Sequence, residues 1–394
     1  WNASSYPVEL LSISGEPGVR LRATISEFGP VLLSKMLELN DHQSGVVSVV
    51  FKYCDDHKLP LLDIKDFRSA LQYLTNEGAE EISDYYGKLN PSSVTVILRK
   101  LIELESQGGD LFFGEYSFDV EDLLRQDRDG RGVIHILRLT DIQARPKLFS
   151  TFMLSLLAEI FEKFPEAGDA KEPKLVIFID EAHLIFNEAS KALLDQIETI
   201  IKLIRSKGVG IFFCTQSPAD VPDAVLAQLG MKLQHALRAF TAKDRKAIKL
   251  IAENFPLSDH YDVDSLLTSL GTGEALVTVL NEKGIPTPLA HTMMRAPYSR
   301  MDILTDEEIR QTVRDSRLSS RYNDNVDRES AYEMLRRKIE RFEEKKQEDI
   351  RKPTRTTRQK STVEKVSSNP LVKIVMRELA RGILGVMGVK TRSR

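Results

Sequence analysis

The chain has 394 residues, with 55 Lys and Arg against 58 Asp and Glu for a formal charge of -3, 42% hydrophobic residues and two cysteines. That apolar content suffices for one large or two ordinary domains, and the near-neutral balance excludes a globally basic nucleic-acid wrapper while leaving local basic patches open. Cys54 and Cys214 are too few and too far apart for a metal site or a disulfide framework, which points to a reducing, cytoplasmic setting.

Residues 1–7 contain no basic region feeding an apolar run, so no signal peptide is read there. Residues 7–14 and 19–25 read as short strands split by the turn from Gly15 to Gly18. From Gly29 to about Gln107 the apolar spacing changes to three and four, predicting helices over 30–39, 44–57, 63–76, 78–86 and 91–106. Pro30, Asp63 and Pro91 stand near starts, Gly87 and Gly108 near stops. With no strand signal, this block reads as a helical subdomain inserted in a sheet-containing domain. Strand signals return at 132–138, 174–179, 209–214, 232–240 and 274–280, with helical stretches at 146–163, 189–207, 221–229 and 243–253. Such alternation, with strands apolar on both faces, predicts an α/β core on a parallel or mixed sheet covered by helices. Beyond Pro297 charge dominates. Residues 302–350 include a predicted helix over 329–346, 351–370 reads as a linker, and 371–389 becomes apolar again at helical spacing. This last segment is read as packing against another subunit, with an intramolecular cap and a membrane-surface helix as alternatives. No stretch reaches the roughly 18 uninterrupted apolar residues of a spanning helix, so stable membrane insertion is not expected.

The chemistry concentrates in Lys174-Leu175-Val176-Ile177-Phe178-Ile179-Asp180-Glu181-Ala182-His183. An apolar strand ending in two carboxylates puts acid at the carboxyl edge of a sheet, where α/β proteins place ligands. In a nucleotide hydrolase Asp180 would hold magnesium through its hydration shell and Glu181 would polarise the attacking water. A strand running into an acidic helix start is the structural alternative. The strand over 209–214 ends in Thr215-Gln216-Ser217-Pro218, and Gln216 either senses a terminal phosphate or closes that turn. Arg205, in Leu203-Ile204-Arg205-Ser206-Lys207-Gly208, either complements a helix dipole or reaches phosphate in a neighbouring subunit. Arg238 interrupts the apolar run His235-Ala236-Leu237-Arg238-Ala239-Phe240 and is a comparable phosphate-binding candidate, with a solvated edge arginine as the alternative. His183 is expected to pack or hydrogen-bond beside the acidic pair rather than bind metal, because no Cys or His group accompanies it. Asp127-Arg128-Asp129-Gly130 reads as a turn rather than a calcium loop, and no serine sits in a nucleophile elbow.

A phosphate loop needs glycines followed by Gly-Lys-Ser/Thr. The one Gly-Lys pair, Gly87-Lys88, is followed by Leu89 inside the helical block. The chain also opens on Trp1 rather than Met, so further residues are expected before it.

These ordered segments resemble the HerA-like ATPases of the FtsK/HerA branch, most closely the bacterial YjgR-like family. The resemblance runs through residues 25–39, Asn40-Asp41-His42-Gln43-Ser44-Gly45, Phe112-Phe113-Gly114-Glu115, residues 175–186, 203–208, 234–240 and 271–280, and Val326-Asp327-Arg328-Glu329-Ser330-Ala331-Tyr332-Glu333-Met334-Leu335, covering nearly the whole chain. It implies an α/β fold with a P-loop NTPase-like RecA/HerA-type core, a helical insertion and a helical C-terminal extension. Residues 1–28 would then be the remainder of the N-terminal part of the core, 29–108 the insertion and 109–300 the core with its Walker B and sensor strands. Residues 301–350 would form a charged helical extension, 351–370 a linker and 371–394 an apolar C-terminal helix. The resemblance implies ATP and magnesium as cofactors, with Asp180 and Glu181 as the Walker B site, Gln216 as sensor and Arg205 as arginine finger. It further implies a homo-oligomer, commonly hexameric in the wider branch, acting on DNA by translocation or unwinding, with a nuclease partner. The family's P-loop and early acidic strand are expected upstream of Trp1, and the 394 residues alone are not expected to be catalytically competent. The chain itself says less about DNA: Lys35, Lys52, Lys58, Lys65 and Arg68 form no aromatic-basic stripe, and the basic run over 351–359 reads equally as a solvated linker. A non-catalytic oligomerisation or nucleic-acid-binding scaffold that keeps the acidic edge for structure is the competing class.

Overall fold

The computed structural model of the protein describes residues 4–139, 146–168, 170–186, 191–324, 326 and 328–351. Apart from Arg351, the linker read over 351–370 and the helix read over 371–394 lie outside the described residues. The chain divides into two compact units, Trp1–Arg337 and Lys338–Arg394.

The first unit opens with β1 (Val8–Ser12) and β2 (Val19–Arg20), then a run of helices: α1 (Ile25–Met36), α2 (Asp41–Asp56), α3 (Ile64–Thr75), α4 (Ala79–Tyr85), α5 (Pro91–Ser106) and the short α6 (Gly109–Phe112). The predicted second strand is cut to two residues. Past it, Thr24 caps α1 through reciprocal bonds with Glu27, so the helix starts earlier than its spacing suggests. Gly29, with φ 77°, breaks α1 just before Pro30. Asn40 with Gln43 and Asp63 with Asp66 close the starts of α2 and α3 in the same manner. The stripes at three and four spacing, including Val47, Val50, Phe51, Phe67, Leu71, Ile97 and Leu101, are buried together.

β3 (Ile134–Arg138) follows a 3-10 turn at Val120–Leu124 and pairs in parallel with β1 from Val8↔Ile134 to Ser12↔Arg138. Next come α7 (Pro146–Lys163), β4 (Leu175–Ile179), α8 (His183–Phe186), α9 (Lys191–Leu203) and β5 (Val209–Phe213), with a 3-10 turn at Ile204–Lys207. α10 (Asp223–Leu226), β6 (Lys232–Gln234), α11 (Ala242–Ala252), α12 (Val263–Ser269), β7 (Glu274–Thr278) and β8 (Ala290–Met293) complete the strand-bearing part. Phe112 joins the helical block to α7 through an edge-on contact with Phe152, ring centroids 5.7 Å apart.

The expected sheet is divided among the described residues into β2-β1-β3, all parallel, β4-β5, parallel, and β6-β7-β8, antiparallel. The predicted strand over 232–240 stops at Gln234, because from His235 onward the backbone turns to α12: the Leu237 N–H donates to the Leu267 carbonyl at 2.9 Å. Ile248, Ile251, Phe255, Leu267, Leu270, Leu276 and Leu289 form the core of this part. Coverage of both faces, expected from apolar composition, is not found on β4 and β5 among the described residues. Val176 and Phe178 alternate outward, and Phe178, 68% exposed, stacks on Phe212 at 4.6 Å.

α13 (Asp306–Asp315), α14 (Ser319–Tyr322) and α15 (Ala331–Arg351) follow β8. The start of α15 is tied to the helical block. Asp66, 1% exposed, accepts from the Tyr332 N–H at 2.9 Å through Oδ1 and from Leu62 and Asp63 through Oδ2. In the second unit, the described residues 338–351 are helical. No helix among the described residues is long and apolar enough to cross a membrane.

Candidate active site

β4 and β5 run in register from Leu175↔Val209 to Ile179↔Phe213. One residue further on, the Cys214 N–H still donates to the Ile179 carbonyl at 2.8 Å, but the Cys214 carbonyl accepts from Ala182 at 3.0 Å. Regular parallel pairing would use the Glu181 N–H there, so Asp180 and Glu181 together oppose one residue, as in a β-bulge. Glu181 pays for the extra residue with φ 47°, in the left-handed region. Glu38 and Lys58, also at positive φ, only follow helix ends, whereas Glu181 ends a strand. The N–H released by the bulge is not orphaned, because it donates to Asp180 Oδ1 at 3.0 Å. Both carboxylates are thereby turned out at the carboxyl edge of a parallel pair.

Gln216 reaches this edge from beyond β5. Its Nε2 donates to Glu181 Oε1 at 3.2 Å. The loop around it is fastened on both sides by Asp220, whose Oδ2 accepts from Thr215 Oγ1 at 2.7 Å and from the Ser217 N–H at 3.3 Å. His183 approaches the other oxygen, with Nδ1 3.2 Å from Glu181 Oε2. That is an ion-pair separation without hydrogen-bond alignment, and Oε2 is a buried atom with no aligned donor. The Cys214 thiol is pushed up by partial burial and then by the neighbouring Asp180 charge, which keeps it protonated.

Asp180 is an exposed carboxylate, and among the described residues no group of three or more His, Cys, Asp or Glu is placed to hold a metal. One carboxylate cannot cage calcium or zinc. It does fit magnesium, which keeps several waters and takes one or two carboxylates alongside substrate phosphates.

The structure does not bring the two arginines to this edge. Arg205 is exposed in the 3-10 turn before β5, at the opposite end of that strand from Gln216, roughly 16 Å of strand away. Gly208, at φ 74°, closes that turn, and a Cβ there would meet Ala167 Cβ at 2.9 Å. Arg238 is committed elsewhere: its guanidinium donates to the Thr268 carbonyl at 2.7 Å and the Leu270 carbonyl at 3.1 Å, at the end of α12. Cations belong at helix ends of this kind. Sequence reasoning missed Thr215 and Asp220. Their signal was present, because Ser217-Pro218-Ala219-Asp220 has the spacing of a capping box with proline at its first helical position.

A family profile described as "Helicase HerA-like C-terminal" matches residues 1–392. Among solved structures, the plasmid coupling protein TrwB in complex with the non-hydrolysable ATP analogue ADPNP is 12% identical with a TM-score of 0.49, over 76% of this chain and 81% of that one. VirB4 of Thermoanaerobacter pseudethanolicus is 16% identical with a TM-score of 0.48, over 74% and 82%. The genome packaging NTPase B204 from Sulfolobus turreted icosahedral virus 2, in complex with sulfate, is 14% identical with a TM-score of 0.30, over 46% and 72%. No curated protein matches the chain.

Proposed function

The chain belongs to the HerA-like helicase C-terminal family, with the mixed helix and strand fold of the P-loop nucleoside triphosphatases, and from that premise we propose that the protein hydrolyses ATP with magnesium as a homo-oligomer acting on DNA. The observation that carries the reading is the bulge at Asp180 and Glu181 with the Gln216 amide 3.2 Å from Glu181 Oε1. Glu181 polarises water for attack on the terminal phosphate, giving ADP and phosphate. Gln216 couples the far strand to that carboxylate, so that a phosphate contact at one is felt at the other. Asp180 would hold a hydrated magnesium ion, which would supply positive charge to offset the negative charge developing on the phosphate.

Arg205 points the reading toward a neighbouring subunit. An exposed cation at the wrong end of β5 cannot serve its own site, but it can stabilise phosphate charge across a boundary. Arg238 would have to leave the α12 carbonyls to contact nucleotide, so it is the weaker of the two. No Gly-Lys-Ser/Thr run occurs within residues 1–394, so the reading requires a phosphate cradle from outside them, and the 394-residue chain alone is expected to be inactive. A hexamer, a nuclease partner and ATP-driven translocation or unwinding complete the proposal.

The test is magnesium-dependent ATP hydrolysis by the full-length protein, beside residues 1–394 and full-length Glu181→Gln, with assembly followed by light scattering. Turnover only in the full-length protein, lost in Glu181→Gln while assembly persists, is the expected result. An assembled full-length protein that does not turn over ATP, with or without DNA, would make it a scaffold. For Arg205, full-length Arg205→Ala and Glu181→Gln are each expected to be inactive alone and to recover activity when co-assembled. Mixed rings then contain sites with Glu181 from one subunit and Arg205 from the next, and failure to recover would confine Arg205 to its own subunit.

A further inference from the structure

We propose that His183 is the positioning residue of Glu181, an inference that rests on Glu181 acting on water as described above. The two oxygens of Glu181 are unlike. Oε1 accepts from the Gln216 amide, whereas Oε2 is buried, lacks an aligned donor and has His183 Nδ1 at 3.2 Å. Nδ1 is close enough to serve Oε2 but out of line with it, and a turn of the imidazole about its side-chain torsions would aim an Nδ1–H at that oxygen. So turned, His183 would hold Oε2 while Gln216 holds Oε1.

The backbone explains why a second grip is needed. Glu181 sits in a bulge at positive φ, outside the ladder, so no regular strand geometry fixes its side-chain direction. His183 has a firmer base. It begins the turn α8, which is tied back by the Leu184 N–H to the Glu181 carbonyl at 2.9 Å and the Ile185 N–H to the Ala182 carbonyl at 3.1 Å. Ile185 and Phe186 are buried, and the Phe186 ring lies 5.6 Å from that of Phe213 at the end of β5. The imidazole is therefore referenced to the hydrophobic side of the same strand pair whose edge carries the carboxylate.

A donor that fixes Glu181 acts on the reacting water and not on nucleotide binding, so its loss falls on kcat. Full-length His183→Leu and His183→Asn decide the matter, because the two side chains have nearly the same size and only Asn supplies an N–H near the Nδ1 position. Steady-state ATP hydrolysis is measured beside wild type and Glu181→Gln, with assembly and thermal midpoint recorded on the same samples. His183→Leu is expected to lose about a hundredfold in kcat, the scale of a ~1 Å misplacement, with KM for ATP unchanged. His183→Asn is expected to stay within about threefold of wild type. Wild-type kcat in His183→Leu beside an inactive Glu181→Gln would overturn the positioning role while leaving the Glu181 reading intact. Wild-type kcat in Glu181→Gln would instead remove the reading beneath it. A packing role for His183 makes the opposite forecast, with Leu tolerated better than Asn, and that order would also overturn the proposal.

Discussion

In the helical block, Asp63 and Asp66 spend their oxygens on backbone N–H groups at the start of α3, and Asp66 takes a third from Tyr332. At the edge of β4, Asp180 is exposed, and Glu181 keeps one oxygen that no donor satisfies in good alignment. The residue types are the same, and the difference lies in unspent hydrogen-bonding capacity. A carboxylate saturated by backbone donors holds helices together, whereas one turned out of a ladder with capacity to spare is available to a ligand or a reacting water. Backbone conformation follows the same division, with reciprocal caps on α1, α2 and α3 and a positive φ at Glu181.

The largest expected effect tests the spare-capacity side. Glu181→Gln in the full-length protein should lower ATP turnover by roughly a thousandfold, about 4 kcal/mol of barrier, while leaving the thermal midpoint near that of wild type. Asp66→Ala should do the reverse. Loss of a buried acceptor for Leu62, Asp63 and Tyr332 should cost about 3 kcal/mol in urea unfolding, with turnover per folded molecule unchanged. If Asp66→Ala were stability-neutral, the contrast between the two regions would fail. Asp220→Ala lies between them, because it caps a short turn and also fastens the loop carrying Gln216. It should cost about 1 kcal/mol of stability and about tenfold in kcat with KM unchanged.

The smallest effect is a pH dependence at neither region. His135 pairs in register with Glu9 between β3 and β1, and burial pushes its imidazole below the ordinary value of 6.5 against the opposing pull of Glu9. The folded chain therefore favours the neutral ring while the unfolded chain protonates near 6.5, so the unfolded state binds more protons in the window below that value. Stability from this group is full above 6.5 and declines as pH falls toward the lower folded value. Thermal midpoints at about pH 7.5 and about pH 5.5 should diverge more in wild type than in His135→Gln.

Much of the helical block was legible because helix signals are local. Asp63 and Pro91 mark the starts of α3 and α5 within a residue, and the i, i+3, i+4 stripe needs no knowledge of what covers it. The strands were found less completely. β1 and β3 are neighbours across more than a hundred residues, and nothing in either five-residue segment names the other as its partner. Residues 235–240 have strand composition but leave the sheet for α12, a tertiary preference that overrides propensity. β8, with the sequence Ala-His-Thr-Met, gives little apolar alternation and becomes a strand by pairing with β7.

At the candidate site, the sequence by itself determined which groups stand at the ends of β4 and β5. An apolar strand terminating in Asp180-Glu181 and another terminating before Gln216 put those side chains at one edge once the strands are parallel. Tertiary structure decided everything that depends on pairing: the bulge at Glu181, the use of Asp180 to satisfy the released N–H, the Gln216 amide on one Glu181 oxygen with His183 Nδ1 3.2 Å from the other, and the commitment of Arg238 to a helix end. The physical reason is that side-chain identity is carried locally by each residue, whereas hydrogen-bond saturation is a property of which donors and acceptors the fold brings within about 3 Å of one another.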